Sequence, residues 1–475
     1  MSRPRVLLAA AAAAFAAGFG ALAALQHLAF RTGRFDLGNL TQTVWSTARG
    51  DLLELTDAQG RQISRLAAHF DPIVAALAPL WWAWPDATML LAVQAAAVAL
   101  GAVPVFLLAR KHVGSEWAGL GFALAYLLYP ATQWLVLDDF HPVALATPLL
   151  LLAFWWLDEG RLAPFAVAAG LACLSKEHVG FAVAAMGLWY ALSRRRPRAG
   201  LAIAAAGAAA AVLATAVVVP AFSPGAGSPF AGRYESVGGS PAGIARAAVT
   251  DPLALLREGT EGRDGRYALS LLLPLAGLPL LAPLAATTAL PEVAANVLSD
   301  TPTQTSVRYH YTAAAIPGLV AAAVLGAGAL RRRRPGAGAV VARVAVVATL
   351  AGGVALGPLP LWGHVPLGER AGTRDHVVGE HARAARRILA LIPPAVPVSA
   401  TNTLGAHLSE RRRVLSFPVV REARWVAVDT TRPSFVDSAD APVRARAALR
   451  RLLASGRFRV VAEDDGVVLL YRPAR

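Results

Sequence analysis

Apolar residues run through this chain in long blocks, and the polar positions between them are few and short. The blocks cover residues 6–30, 87–109, 117–137, 143–157, 162–174 and 179–192, then 201–222, 267–280, 281–298, 312–330 and 339–362. A helix needs about 20 apolar residues to cross a bilayer. Several blocks are shorter, and Pro274, Pro279 and Pro283 interrupt the stretch 267–298, as two divided spans or one kinked span would require. The first block exceeds the roughly 7–15 apolar residues of a signal-peptide core, so it reads as a retained transmembrane helix.

Two regions break the pattern. Within the loop 31–86, Leu37, Leu40, Val44 and Trp45 recur at helical spacing. They predict a helix over 37–48 lying on the bilayer surface, with Asp36 capping its N-terminus. After residue 362 the chain turns hydrophilic and reads as a small α/β domain, 363–475. "DHVVGEHARAARRILALI" has helical spacing; "VPVSA", "ARWVAVD" and "FRVVAEDDGVVLLYR" read as strands, with Asp465-Gly466 as a hairpin turn. "PVRARAALRRLLASG" reads as a second helix ending at a glycine cap. By composition the most flexible piece is "SPGAGSPFAG", residues 223–232.

Composition confirms the class. Of 475 residues 56% are hydrophobic and 16% charged, with mean hydropathy +0.49; soluble domains carry about 25% charged residues. The net charge of +15 changes the picture only through its placement. Arg3 and Arg5, Arg110 and Lys111, Arg194–Arg196 with Arg198, and Arg331–Arg334 all flank apolar blocks. That is the positive-inside pattern, and it accounts for the basicity without nucleic acid as a partner. With the N-terminus inside, all four clusters fall inside if 267–298 crosses twice, giving about eleven spans. The expectation is a multi-pass protein of the bacterial cytoplasmic membrane: transmembrane domain 1–362, N-terminus cytoplasmic, loops 31–86, 223–266 and 299–311 and the domain 363–475 extracytoplasmic. Cys173 stands alone in an apolar run and reads as a small buried residue.

In that topology the ionisable residues collect on the outer face. The first loop carries Asp36, Asp51, Glu54, Arg65, His69 and Asp71; "DDFHP" gives Asp138, Asp139 and His141; "SKEH" gives Lys176, Glu177 and His178; "SDTPTQTSVRYHY" gives Asp300, Arg308, Tyr309, His310 and Tyr311. Ionisable groups beside apolar spans are functional candidates. "SKEH" is the sharpest, lying between apolar runs with almost no loop to solvate it. His69 and Asp71 offer ligands to a divalent cation, although no zinc signature, nucleotide-binding glycine loop or hydrolase elbow is present, and the identity of any metal stays open. Carboxylates with Lys, Arg and His on one membrane face suit transfer of a group from a lipid-linked phosphate donor. A carboxylate takes the acceptor's proton, and cations stabilise the departing phosphate.

"FDLGNLTQTVWSTARGD", "SRLAAHFDPIVAALAPLWWAWP", "DDFHPVALATPLLLLAFWW", "LSKEHVGFAVAAMGLW", "RYHYTAAAIPGLVAAA" and "VSATNTLGAHLSERRRVLSFP" resemble the motifs of the DUF2079 family of bacterial polytopic membrane proteins. That family is grouped with the GT-C glycosyltransferases, which use polyprenyl-phosphate sugars. The resemblance implies a GT-C-like α-helical fold, with Asp36 in the slot where these enzymes carry their essential acid. Leu37 follows it where many relatives carry a second acid. His69, Asp71, Asp139, His141, Lys176, Glu177, His178, Arg308, Tyr309 and His310 are then substrate-binding candidates. The expected activity is transfer of a hexosyl or pentosyl group from a polyprenyl-phosphate donor to an envelope acceptor. A transporter or flippase for a lipid-linked or polar solute is an alternative, suggested by the proline-broken stretch 267–298; a non-catalytic envelope scaffold is another.

Overall fold

The computed structural model describes residues 2–223, 225, 231–239, 243, 246–247, 250–251, 253, 257, 262–370, 375–431 and 441–473. The glycine- and proline-rich piece 223–232 falls mostly outside them. Five helices are long and apolar enough to cross a membrane among the described residues: Arg3–Leu28, Thr88–Val113, Pro197–Phe222, Ala315–Arg333 and Pro335–Leu356. Glu116–Leu128 and Pro130–Leu137 form a sixth that bends by 48°. Tyr129 is extended there, as a residue before proline prefers. The blocks 143–157, 162–174 and 179–192 become shorter helices, Val143–Asp158, Leu162–Cys173 and Val179–Ser193.

The stretch 267–298 departs from the two crossings expected of it. It is a broken hairpin: helix Gly262–Leu272, short turns, then Pro283–Ala286 and Leu290–Val297. Its longest helix has 11 residues, too few to span. Ala276 and Gly277 at φ +54° and +65° reverse the chain, and the nearby prolines deny it continuous helix. Arg263 Nη2 donates to Ser299 O at 2.9 Å, closing the hairpin's mouth. A hairpin that leaves by the side it entered has the same effect on topology as two crossings.

By contact the chain divides into two units: Met1–Gly20, Ala68–Asp71 and Gln94–Thr373 in the first, and Ala21–Ala67, Pro72–Val93 and Arg374–Arg475 in the second. Helices Val179–Ser193 and Pro197–Val212 of the first unit pack backbone against backbone. A Cβ on Gly180 would lie 2.4 Å from Gly207 O, and one on Gly187 2.4 Å from Ala204 N. Small residues allow this approach where no hydrophobic drive exists between helices in lipid.

The basic clusters of the first unit share ion pairs at common helix ends. Lys111, His112 and Arg194 converge on Asp158, with Lys111 Nζ 2.6 Å and His112 Nε2 2.9 Å from its Oδ2. Arg5 and Arg110 share Glu116, and Arg331 donates to His112 O. Four clusters separated in sequence therefore occupy linked positions.

The second unit is built on a mixed five-stranded sheet ordered β4-β3-β5-β7-β6: β3 Val398–Ala400, β4 Val414–Ser416, β5 Trp425–Asp429, β6 Arg459–Asp464 and β7 Val467–Tyr471. The expected hairpin joins β6 and β7, with Asp465 and Gly466 both at positive φ. Helices Glu380–Leu389 and Ala441–Ala454 accompany the sheet. Ala385, Ile388 and Leu389 form a core with Val398, Ala400 and Leu469. The first loop adds the small hairpin β1–β2, Glu54–Thr56 with Gln62–Ser64.

The helix expected to lie on the bilayer surface is instead a packed element of this unit. It runs Asn39–Thr47, and Leu37, Leu40 and Val44 are at most 1% exposed. Their helical spacing served a protein core, a surface that one-dimensional periodicity does not distinguish from lipid.

Candidate functional site

The first unit assembles two groups of the predicted polar residues away from the basic cluster. One is built on the tight turn between helices Leu162–Cys173 and Val179–Ser193, which presents Lys176, Glu177 and His178 consecutively. Glu177 Oε1 meets His69 Nδ1 at 3.0 Å, and its Oε2 accepts from Phe70 N at 3.1 Å. His178 Nε2 lies 3.0 Å from Glu292 Oε2, on the hairpin's second arm. Lys176 is 9% exposed, and Asp71, two residues beyond His69, is fully buried. Two carboxylates and two imidazoles are thus paired beside a buried lysine.

Opposing causes set the ionisation here. Burial pushes the Glu177 carboxyl up, but Lys176 first, then His69 and His178, hold it well below the usual carboxylate range. Burial lowers His178, yet Glu292, by charge and hydrogen bond, and then Glu177 raise it overall. The charged forms therefore support one another.

The second group stands on the turn after Pro130–Leu137. Asp138 Oδ2 accepts from His310 N at 2.7 Å and meets His310 Nδ1 at 2.9 Å. The His141 and His310 rings stack with centroids 3.5 Å apart. Gln94 pins the turn, donating to Asp139 O at 2.6 Å and accepting from His141 N at 2.9 Å. It fixes Asp139 at φ +50°, a conformation aspartate tolerates better than most residues. Arg308 is exposed, pairs with Glu369 and lies over Trp134. Tyr309 is half-buried, its ring 6.5 Å from that of Tyr311.

Asp36 belongs to the second unit and is not the helix cap expected of it. It lies inside a π-turn, Arg34–Gly38, that runs into Asn39–Thr47, and the residue at that helix's N-cap is Gly38. The turn is locked on both sides of Asp36. Asn402 Oδ1 accepts from Phe35 N at 3.2 Å, and Asn39 Nδ2 donates to Phe35 O at 3.1 Å. Arg34, 1% exposed, donates to Thr56 O at 2.7 Å, Val414 O at 2.6 Å and Ser416 Oγ at 2.6 Å. Asp36 is half-buried on this rigid support.

His69 and Asp71 were candidate ligands for a divalent cation, with the identity of any metal left open. Among the described residues, the trio with metal-like spacing is Asp138, His141 and His310. His69 is committed to Glu177. The residues that sequence reading missed are Gln94, Glu292, Asn296 and Arg34. Gln94, Glu292 and Asn296 are lone polar residues in apolar runs, and that isolation was the available signal. Asn296 donates to Tyr267 OH at 2.8 Å and Tyr311 O at 2.7 Å, tying hairpin to loop.

Residues 26–469 match a family described as predicted membrane protein, DUF2079. The chain belongs to the DUF2079 family. Solved structures place its fold: ArnT from Cupriavidus metallidurans bound to undecaprenyl phosphate aligns over 99% of this chain and 98% of its own, with TM-score 0.55 and 16% identity. The same protein in the apo state aligns over 92% and 93%, with TM-score 0.51 and 14% identity. This DUF2079 protein therefore has the GT-C fold of ArnT. No curated protein matches it in sequence.

Proposed function

We propose that the protein transfers a sugar from a polyprenyl-phosphate donor to an envelope acceptor, on the face opposite its arginine clusters. The observation that carries this reading is Asp36: a half-buried carboxylate, on a locked turn, in the first loop after the first long apolar helix of a GT-C fold. The undecaprenyl phosphate of the ArnT complex supports the donor class. The positive-inside rule supports the orientation, with the Asp158 and Glu116 networks cytoplasmic and the domain 363–475 outside.

In this reading Asp36 takes the proton of the acceptor hydroxyl as its oxygen bonds to the anomeric carbon. The bond from that carbon to the phosphate oxygen breaks, and the polyprenyl phosphate leaves with the electron pair. Positive charge stabilises the phosphate as it leaves, and Lys176 and Arg308 are the first unit's candidates for that charge. The polar groups His69, Asp71, Asp139, His141, Glu177, His178, Tyr309 and His310 of the first unit are its substrate-binding candidates. The broken hairpin 262–297 favours a second reading, translocation of a lipid-linked solute.

Purified protein in nanodiscs, supplied with labelled polyprenyl-phosphate sugars and envelope acceptors, should move label from lipid to acceptor. Asp36→Asn should slow transfer by about 10²–10⁴ with little change in melting temperature. Full turnover in that variant removes Asp36 from the chemistry. Lipid flipping in proteoliposomes without transfer to any acceptor replaces the transferase reading with the transporter.

A further inference from the structure

We propose that Asp138, His141 and His310 form a binding site for a divalent first-row transition-metal ion. One ligand atom from each of the three residues lies within 4.8 Å of the other two. Two ligands on a zinc-like ion at 2.0–2.2 Å are roughly 3.3 Å apart in tetrahedral geometry. Closing the trio onto an ion therefore asks for side-chain adjustments of about an ångström.

The surroundings are those of a supported ligand set. Metal-bound histidines usually engage their second ring nitrogen with a carbonyl or carboxylate, which orients the ring. Here His141 Nδ1 lies 2.6 Å from Asp138 O, and His310 Nδ1 lies 2.9 Å from Asp138 Oδ2. His141 Nδ1 is thus held by a carbonyl, so Nε2 is its ligand nitrogen; the 2.9 Å between His310 Nδ1 and Asp138 Oδ2 is instead close to the spacing of two ligands on one ion, the metal taking the place of the shared proton. The two rings are nearly parallel, 16° apart.

Gln94 completes the support. Its amide bonds Leu135 O, Val136 O, Asp139 O and His141 N, so the turn bearing Asp138 and His141 is held from a neighbouring helix by one buried side chain. His141 is 7% exposed, which separates this trio from a solvated acidic patch.

The donor set selects the ion. Magnesium and calcium prefer all-oxygen sites, whereas two imidazoles with one carboxylate suit zinc, manganese, iron or cobalt. Three protein ligands leave coordination positions for water or an oxygen of a substrate. This site is independent of the sugar-transfer reading, because binding is measured without turnover.

The test uses full-length protein in detergent, with any affinity tag removed and metal stripped by chelator. Titration with Co²⁺ should give visible d–d absorption saturating at one equivalent, displaced by Zn²⁺. His141→Gln and His310→Gln should each abolish the bands. Gln94→Ala should weaken Co²⁺ binding by about 10–100-fold, as loss of an outer-shell partner does. His364→Gln, at an exposed position, should bind like wild type. Size-exclusion profiles establish folding, and if His310→Gln fails to fold, His141→Gln carries the comparison. Absence of Co²⁺ bands in the wild type, or their survival in a folded His141→Gln variant, overturns the site.

Discussion

Arg34 and His178 show how little of a residue's role its own neighbourhood in sequence reveals. Arg34 sits in the loop 31–86 where no sequence pattern marks it, yet burial draws its guanidinium down to about 10, against the pull of Asp57, while it holds three oxygens. Hydrogen bonds from charged groups contribute roughly 1.5–3 kcal/mol each. Arg34→Ala should therefore cost at least about 3 kcal/mol, read as a lower melting temperature and faster proteolysis in loop 31–67. His178 was legible as a candidate, but its partner Glu292 was not, because pairs far apart in sequence leave no periodic trace. That pair and Glu177 define a pH dependence. The raised His178 contributes stability fully below 6.5, lost as pH rises through its folded value. The depressed Glu177 contributes above 4.5, lost as pH falls through its folded value. Melting temperature should be level between these limits and decline on the alkaline side, and His178→Gln should flatten that decline. A decline unchanged in the variant assigns it to another group.

Among elements, apolar blocks were easy to find and hard to delimit. Hydropathy marks what avoids water, and it does not record where prolines and a positive-φ pair turn a buried chain back on itself. This is why the stretch 267–298 was legible as apolar and broken, but not as a hairpin closed by Arg263. Amphipathic spacing has the same blind spot: Leu37, Leu40 and Val44 announced a helix without saying whether protein or lipid covers it. The tail's strands were better specified, since alternation and an Asp-Gly turn are local signals; the short strand β4 lacks both and went unmarked. The glycines of the Val179–Ser193 and Pro197–Val212 pair give an element-scale test. Gly187→Leu drives a side chain into the Ala204 backbone and should destabilise by about 1–3 kcal/mol or more. Gly170→Leu, with nothing within 4 Å of the added Cβ, should be near neutral in the same detergent melt.

Across the molecule, a GT-C fold survives at 16% identity to ArnT, as expected when helix positions depend on small-residue contacts and interior polar anchors more than on particular apolar side chains. The clustering of basic residues was fully legible, and their convergence on Asp158 and Glu116 puts them at linked helix ends. With the positive-inside rule this predicts an exported C-terminus: a periplasmic-type reporter fused at residue 475 should be active and a cytoplasmic-type one silent. The reverse result inverts the orientation and moves Asp36 to the cytoplasmic face.

The second unit is drawn from three separate segments, the last beginning only at Arg374. Of the three acceptors of Arg34, Thr56 O lies in its own loop, whereas Val414 O and Ser416 Oγ lie 380 and 382 residues downstream. Synthesis at 5–20 residues per second separates Arg34 from the latter two by roughly 20–80 s. During that interval the first loop has emerged with a guanidinium two of whose three acceptors do not yet exist. The loop bearing Asp36 can therefore reach its locked geometry only after nearly the whole chain has been inserted, which couples completion of the candidate catalytic turn to completion of the protein and leaves prematurely terminated chains without it.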